Sequence, residues 1–224
     1  MKETADARFS RRLAERLRLY FVMGSVNCRQ DPVLTLEAAI RGGITAFQYR
    51  EKGRGALTGD DREQLGVKLR ELCRAHNVLF MVNDDVELAL RLEADGVHVG
   101  QEDEAAAIVR RRMPAGILGV SAHDVLEAEE AVRCGADYLG VGPMYMTRTK
   151  PDIREVRGPG VIRDIRASGL SLPIVGIGGI EQGRAEAVVR AGADGVAVIS
   201  AIAQAEEPRQ AAERLLTECS PKFA

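Results

Sequence analysis

Four short stretches of this chain set ionisable residues directly after an apolar run: QYREK (48–52), MVNDD (81–85), HVGQED (98–103) and GPMYMTRTK (142–150). Together they supply the cations Arg50, Lys52 and Lys150 and the carboxylates Asp84 and Asp103. Such a mixture suits Mg²⁺ holding a polyphosphate. The ion takes one or two carboxylates, water and phosphate oxygens, and the cations neutralise the oxygens it leaves. A fifth stretch, GIGGI (176–180), differs in kind. Three glycines in five residues cost stability, and backbone N–H groups closing around an anion would justify them. Ile199-Ser200, opening a helix after the last apolar run, would complete a site for one phosphate monoester. Two anionic ligands are thus expected, and joining them with loss of pyrophosphate is an economical reaction. No Ser–His–Asp order, Cys–His arrangement or mid-strand Lys offers a nucleophile instead.

Each of these residues also has a plain structural use. Asp85 and Asp103 could cap the helices that follow them. The Arg-Glu-Lys triplet could be solvated surface, and Ser121 with His123 a simple turn. His98 inside an apolar run is a packed or hydrogen-bonded histidine more readily than a ligand, since no second His sits at ligand spacing. Surface ion pairs would be worth little energy. The chemical reading is preferred because all these groups fall where apolar runs end.

Those runs predict eight strands: 19–23, 45–50, 78–83, 96–100, 117–121, 138–142, 173–178 and 195–200. Several are apolar at consecutive positions, as parallel strands buried on both faces are. Apolar residues at three and four spacings predict helices between them, for example over DDREQLGVKLRELCRAH. RLEADGVHVG, RCGADYLGVG and RAGADGVAVI form a weak repeat in which a helix end, Ala-Asp and a strand follow one another; RGGITAFQY is a looser copy. Eight such units favour a (β/α)₈ barrel, in which functional groups gather where strands run into the following loops. A doubly wound open sheet is second. One catalytic domain over 19–219 is expected, with residues 1–18 as a short helical extension.

Composition excludes several function classes. A net charge of −2 and 4% aromatics give no argument for nucleic acid, and no apolar run reaches membrane-spanning length. Cys28, Cys73, Cys134 and Cys219 lie 45, 61 and 85 residues apart, which suits reduced thiols in a cytoplasmic protein better than a disulfide framework or a metal knuckle. The leader is Arg-rich, but Glu3, Asp6 and Glu15 argue against a targeting peptide. Oligomeric state is left open, a homo-oligomer included.

Taken together, QYREK, VNDDVELALRLEADGVHVGQED, LGVSAH, GVGPMYMTRTK and PIVGIGGI resemble the thiamin phosphate synthase family over roughly residues 19–216. The resemblance implies a (β/α)₈ barrel that joins 4-amino-2-methyl-5-hydroxymethylpyrimidine diphosphate to a thiazole phosphate, with Mg²⁺ required. Motif by motif, it implies Asp84 and Asp103 as metal ligands. Gln48, Arg50, Glu51, Lys52, Asn83, Ser121 and Lys150 would hold the pyrimidine diphosphate, with Arg50, Ser121 and Lys150 acting on the leaving group. Thr147 and Thr149 would line the thiazole side, and Gly179, Ile199 and Ser200 would bind its phosphate. Two rivals share the fold: a thiazole tautomerase, which needs only the phosphate loop, and a non-catalytic phosphate-ligand sensor.

Overall fold

The computed structural model describes residues 4–147 and 156–220. Eight strands close into one parallel barrel in chain order: β1 (Leu19–Met23), β2 (Ala46–Tyr49), β3 (Leu79–Asn83), β4 (Gly96–Val99), β5 (Ile117–Ala122), β6 (Tyr138–Val141), β7 (Ile174–Ile177) and β8 (Gly195–Val198). The helices are α1 (Ala5–Arg16), α2 (Pro32–Arg41), α3 (Gly59–Ala75), α4 (Val86–Arg91), α5 (Ala106–Arg112), α6 (Val125–Arg133), α7 (Gly160–Ala167), α8 (Ala185–Arg190), α9 (Ser200–Ala203) and α10 (Pro208–Glu218). The strands match the expected set but several stop one or two residues earlier, because Arg50, Gly100, Gly142 and Gly178 already belong to the loops at the barrel mouth. None of the described helices is long and apolar enough to cross a membrane.

Strand alternation divides the apolar residues between two cores. In β1, Leu19, Phe21 and Met23 face the helical shell, whereas Tyr20 and Val22 face the barrel interior with Ala46, Leu79, Met81, Tyr138, Val175 and Ala197. Leu13 and Leu17, from α1 and the residue that ends it, join the interior cluster. The leading helix therefore closes the floor of the barrel.

The sequence repeat has a physical cause at that floor. Thr45, Asp95, Asp137 and Asp194 each precede an even-numbered strand, and each brackets the first or second residue of the strand before it. Their N–H groups donate to the carbonyls of Leu19, Phe80, Leu118 and Ile174 at 2.8–2.9 Å. Their side-chain oxygens accept from the N–H groups of the same four residues: Leu19 to Thr45 Oγ1 at 3.0 Å, and Phe80, Leu118 and Ile174 to the Asp Oδ2 atoms at 2.8 Å. Two of the brackets carry a guanidinium. Arg110 donates to Asp137 at 2.5 Å and Arg166 to Asp194 at 2.7 Å, while both fill neighbouring loop carbonyls. The barrel is thus four copies of a two-strand unit, with Thr45 doing in the loosest copy what Asp does in the others.

Removing a charged bracket should cost more than removing the neutral one. Asp137→Ala leaves the Leu118 N–H and Arg110 short of an acceptor and should lower stability by about 2–3 kcal/mol, against about 1 kcal/mol for Thr45→Ala. Denaturant unfolding followed by circular dichroism reads both. Equal losses would show that the guanidinium adds nothing.

Candidate active site

At the end of β3 the backbone separates two adjacent acids. Asp84 takes a left-handed conformation, φ +62°, which Asp tolerates better than most residues. Its N–H donates to the His98 carbonyl at 2.8 Å. The turn sends Asp84 to the barrel mouth and Asp85 to the start of α4. There Asp85 Oδ1 accepts from the Leu88 N–H at 2.9 Å and Oδ2 pairs with Arg62 at 2.8 Å. Burial opposes ionisation of Asp85, but the Leu88 amide and Arg62 outweigh it and hold its pKa low.

Asp84 and Asp103 face one another at hydrogen-bond range, with Lys52 Nζ 2.8 Å from Asp84 and 3.8 Å from Asp103. Burial first, and then the facing carboxyl, push the Asp84 pKa up. Burial also works against Asp103, but the hydrogen bond from Asp84 and the Gly100 amide, 2.8 Å away, outweigh it and leave Asp103 low. The two carboxyls are thus pushed in opposite directions, as neighbouring like charges are. Lys52 is half exposed, so its ion pair adds little stability. An arrangement that costs burial and returns little in stability points to a ligand.

The mouth is a groove of two lobes. The polar lobe is lined by Arg50, Lys52, Asn83, Asp84, His98, Asp103 and the 100–102 turn. The second is lined by Gly140, Gly142, Pro143, Thr147, the 177–180 turn and residues 197–200. Ser121 and His123 line both lobes and mark where they meet. His123 is held from α6: Nδ1 lies 2.7 Å from Glu127 Oε2, which also accepts the His123 N–H at 2.8 Å. Gly179, at φ +62°, packs so closely on the β6 loop that a Cβ there would lie 2.5 Å from the Met146 carbonyl.

Known proteins share this arrangement of chain. The family model described as thiamine monophosphate synthase matches residues 19–202. The chain belongs to that family. It is 57% identical over 203 residues to a thiamine-phosphate synthase of Geobacillus kaustophilus, covering 91% of this chain and 92% of that protein. A second such synthase, from Geobacillus thermodenitrificans, is 54% identical over 208 residues, covering 93% and 94% of the two chains. The solved structure of a thiamine phosphate pyrophosphorylase from Pyrococcus furiosus superposes with a TM-score of 0.84 at 37% identity, covering 92% of this chain and 97% of that one.

Most of the residues that the family motifs single out meet in the groove. Arg50, Lys52, Asn83, Asp84 and Asp103 line the polar lobe, Ser121 the junction, and Thr147, Gly179, Ile199 and Ser200 the second lobe. Ile199-Ser200 does open a helix, the short α9. Thr149 and Lys150 lie outside the described residues. Three expectations need revision in placement. Asp103 does not cap the next helix, whose N-cap is Ala105; it holds the Gly100 turn instead. Glu51 is not among the residues that line either lobe, and it is not solvated surface. It is 8% exposed and ties two loops together, accepting from Ser25 N–H at 2.7 Å, Ser25 Oγ at 2.5 Å and Leu57 N–H at 2.9 Å. Gln48 is buried below the groove, where Nε2 donates to the Tyr20 hydroxyl at 2.8 Å. His123 does more than form a turn, and the Glu four residues on was the signal that its ring would be held. Tyr20 and Tyr138 escaped notice, although a phenol in a buried strand needs a partner.

Asp85→Ala separates the two acids by experiment. It removes the α4 cap and the Arg62 pair, and should lower stability by about 1–2 kcal/mol while turnover stays within about twofold. Thermal unfolding and a product assay on the same sample check this. A large loss of turnover in a folded protein would place Asp85 in the groove's chemistry.

Proposed function

We propose that this protein makes thiamin phosphate and pyrophosphate from 4-amino-2-methyl-5-hydroxymethylpyrimidine diphosphate and a thiazole phosphate, 4-methyl-5-(2-phosphooxyethyl)thiazole or its carboxylated form. The observation that supports this best is a groove whose two lobes, one lined by charged side chains and one by glycines and apolar residues, meet at Ser121 and His123. Facing carboxylates with cations suit a metal-bound diphosphate, and the Gly178-Gly179 turn beside α9 suits a phosphate held by backbone amides. A tautomerase or a sensor of thiazole phosphate would need only the second lobe.

In this reading Asp84 and Asp103 hold Mg²⁺. The donor set fits that ion: two hard carboxylate ligands whose mutual repulsion a cation would relieve, at a groove mouth open to water and phosphate oxygens. When bound, Mg²⁺ supplies charge neutralisation to the diphosphate. Arg50 and Lys52 from the β2 loop, and Lys150 by motif, balance the remaining negative charge as the diphosphate leaves. The pyrimidine's 4-amino group can delocalise positive charge developing at the methylene carbon, so a dissociative path needs no general base. Asn83 and Ser121 orient the leaving diphosphate, with Gln48 beneath them. Thr147, with Thr149 by motif, and Gly179, Ile199 and Ser200 hold the thiazole so that its nitrogen attacks at short range. Glu51 serves this site indirectly, by tying the Arg50–Lys52 segment to the Ser25 and Leu57 loops.

The chain is read as a catalytic domain over 19–219 with residues 1–18 as an extension. A cytoplasmic setting is supported by four unpaired cysteines, two of them buried. Its partners in this reading are the two small-molecule substrates.

Asp84→Ala should lower turnover on the order of 10²-fold with folding intact. Pyrophosphate and thiamin phosphate release at saturating Mg²⁺ are the measurements, and near-normal rates would remove the metal assignment. Ser121→Ala should weaken pyrimidine diphosphate binding in calorimetry and spare thiazole phosphate. The reverse pattern would exchange the two lobes.

A further inference from the structure

A chain of hydrogen bonds runs from the barrel interior to the junction of the two lobes. Gln48 Nε2 donates to the Tyr20 hydroxyl at 2.8 Å, Tyr20 and Tyr138 hydroxyls lie 3.0 Å apart, Tyr138 lies 3.0 Å from His98 Nδ1, and His98 Nε2 lies 3.0 Å from Ser121 Oγ. We propose that this chain has one polarity, which fixes the tautomer of His98 and points the Ser121 hydroxyl proton into the groove. Tyr20, Tyr138 and His98 are then positioning residues for the reaction; the inference rests on the function proposed above.

The polarity follows from counting protons. An amide nitrogen only donates, so Tyr20 accepts from Gln48, and of its two hydrogen-bond partners only the Tyr138 oxygen can take the Tyr20 proton. Burial drives the pKa of both phenols upward, so each keeps its proton. Tyr138, already accepting from Tyr20, gives its proton to His98 Nδ1. The imidazole proton is left on Nε2 and goes to Ser121 Oγ. Ser121 accepts there, and its own proton is available to an anionic oxygen where the lobes meet. The opposite polarity would make Ser121 donate inward and offer only lone pairs to an anion.

The rings also have built seats. A Cβ on Gly119 would lie 2.2 Å from Tyr138 Cζ, and one on Gly140 would lie 2.8 Å from His98 Cε1. Glycine weakens a strand interior and marks close approach. Two adjacent strands accept that cost where Tyr138 and His98 sit.

The test uses the full-length protein with ¹⁵N-labelled histidine at neutral pH, without substrates. Long-range ring correlations distinguish the tautomers, and the His98→Gln spectrum assigns His98 among the three histidines. The expected result is a proton on Nε2 and a bare Nδ1. A proton on Nδ1, or on both nitrogens, would overturn the proposal. In Tyr138→Phe the tautomers should mix and kcat should fall about tenfold, with KM for thiazole phosphate unchanged. Mixed tautomers with unchanged kcat would overturn the positioning role. If Tyr138→Phe does not fold, Tyr20→Phe breaks the chain one link earlier and is judged by the same two readings. A wild-type protein with the expected tautomer and no synthase turnover would sink the proposed function and, with it, the positioning role, but not the polarity.

Discussion

A closed eight-stranded barrel has an interior only wide enough for its own side chains, and those come from every second residue of each strand. Any polar group placed there has no water to turn to and must be satisfied by another interior group. This constraint decides much of the molecule. Tyr20 and Tyr138 share the interior with Val22, Met81 and Val175, and their hydroxyls find each other, Gln48 and His98. The same closure leaves a floor to be covered, which α1 does with Leu13 and Leu17. It also leaves a mouth at which all eight strands end together.

At the mouth the requirement reverses. Loops there can carry charge because water reaches them, and the parallel order sends the ends of β2, β3 and β4 to neighbouring points. Lys52, Asp84 and Asp103 therefore meet although 51 residues separate the first from the last. Two carboxylates held face to face are unfavourable until a cation or a proton comes between them. That local cost is borne by a scaffold stabilised elsewhere, by the two apolar cores and by floor contacts such as Arg110–Asp137 and Arg166–Asp194.

What could be read from the sequence follows the same division. Strand–helix alternation is local, so the eight units, their order and most mouth residues were legible. The Ala-Asp repeat was visible as a pattern, but its cause was not, because each Asp answers a residue some 15–20 positions earlier across a strand pair. Asp84 and Asp85 were separable in principle, since one cap position takes one acid. Asp103 misled because a cap depends on where the helix begins, and α5 begins three residues later. Glu51 sits inside a charged triplet and reads as part of it, yet its partners Ser25 and Leu57 come from two other loop positions. The interior hydrogen-bond chain draws on β1, β2, β4, β5 and β6, and no window of sequence contains it.

Gly179 illustrates why a motif can be right for more than one reason. Its positive φ and its 2.5 Å approach to the Met146 carbonyl already require glycine. A bare backbone at that point is also what a phosphate bound by amides needs. The packing that excludes a side chain and the opening that admits an anion arise from one turn, so substitution there would disturb both. Conserving such a glycine in a design would not show which role matters. Asp103 does hold the Gly100 turn, but the Asp84 carboxyl has no comparable structural duty, since its half-exposed Lys52 contact returns little stability. For that reason the carboxylates, rather than the glycines, are the stronger physical argument for what this groove does.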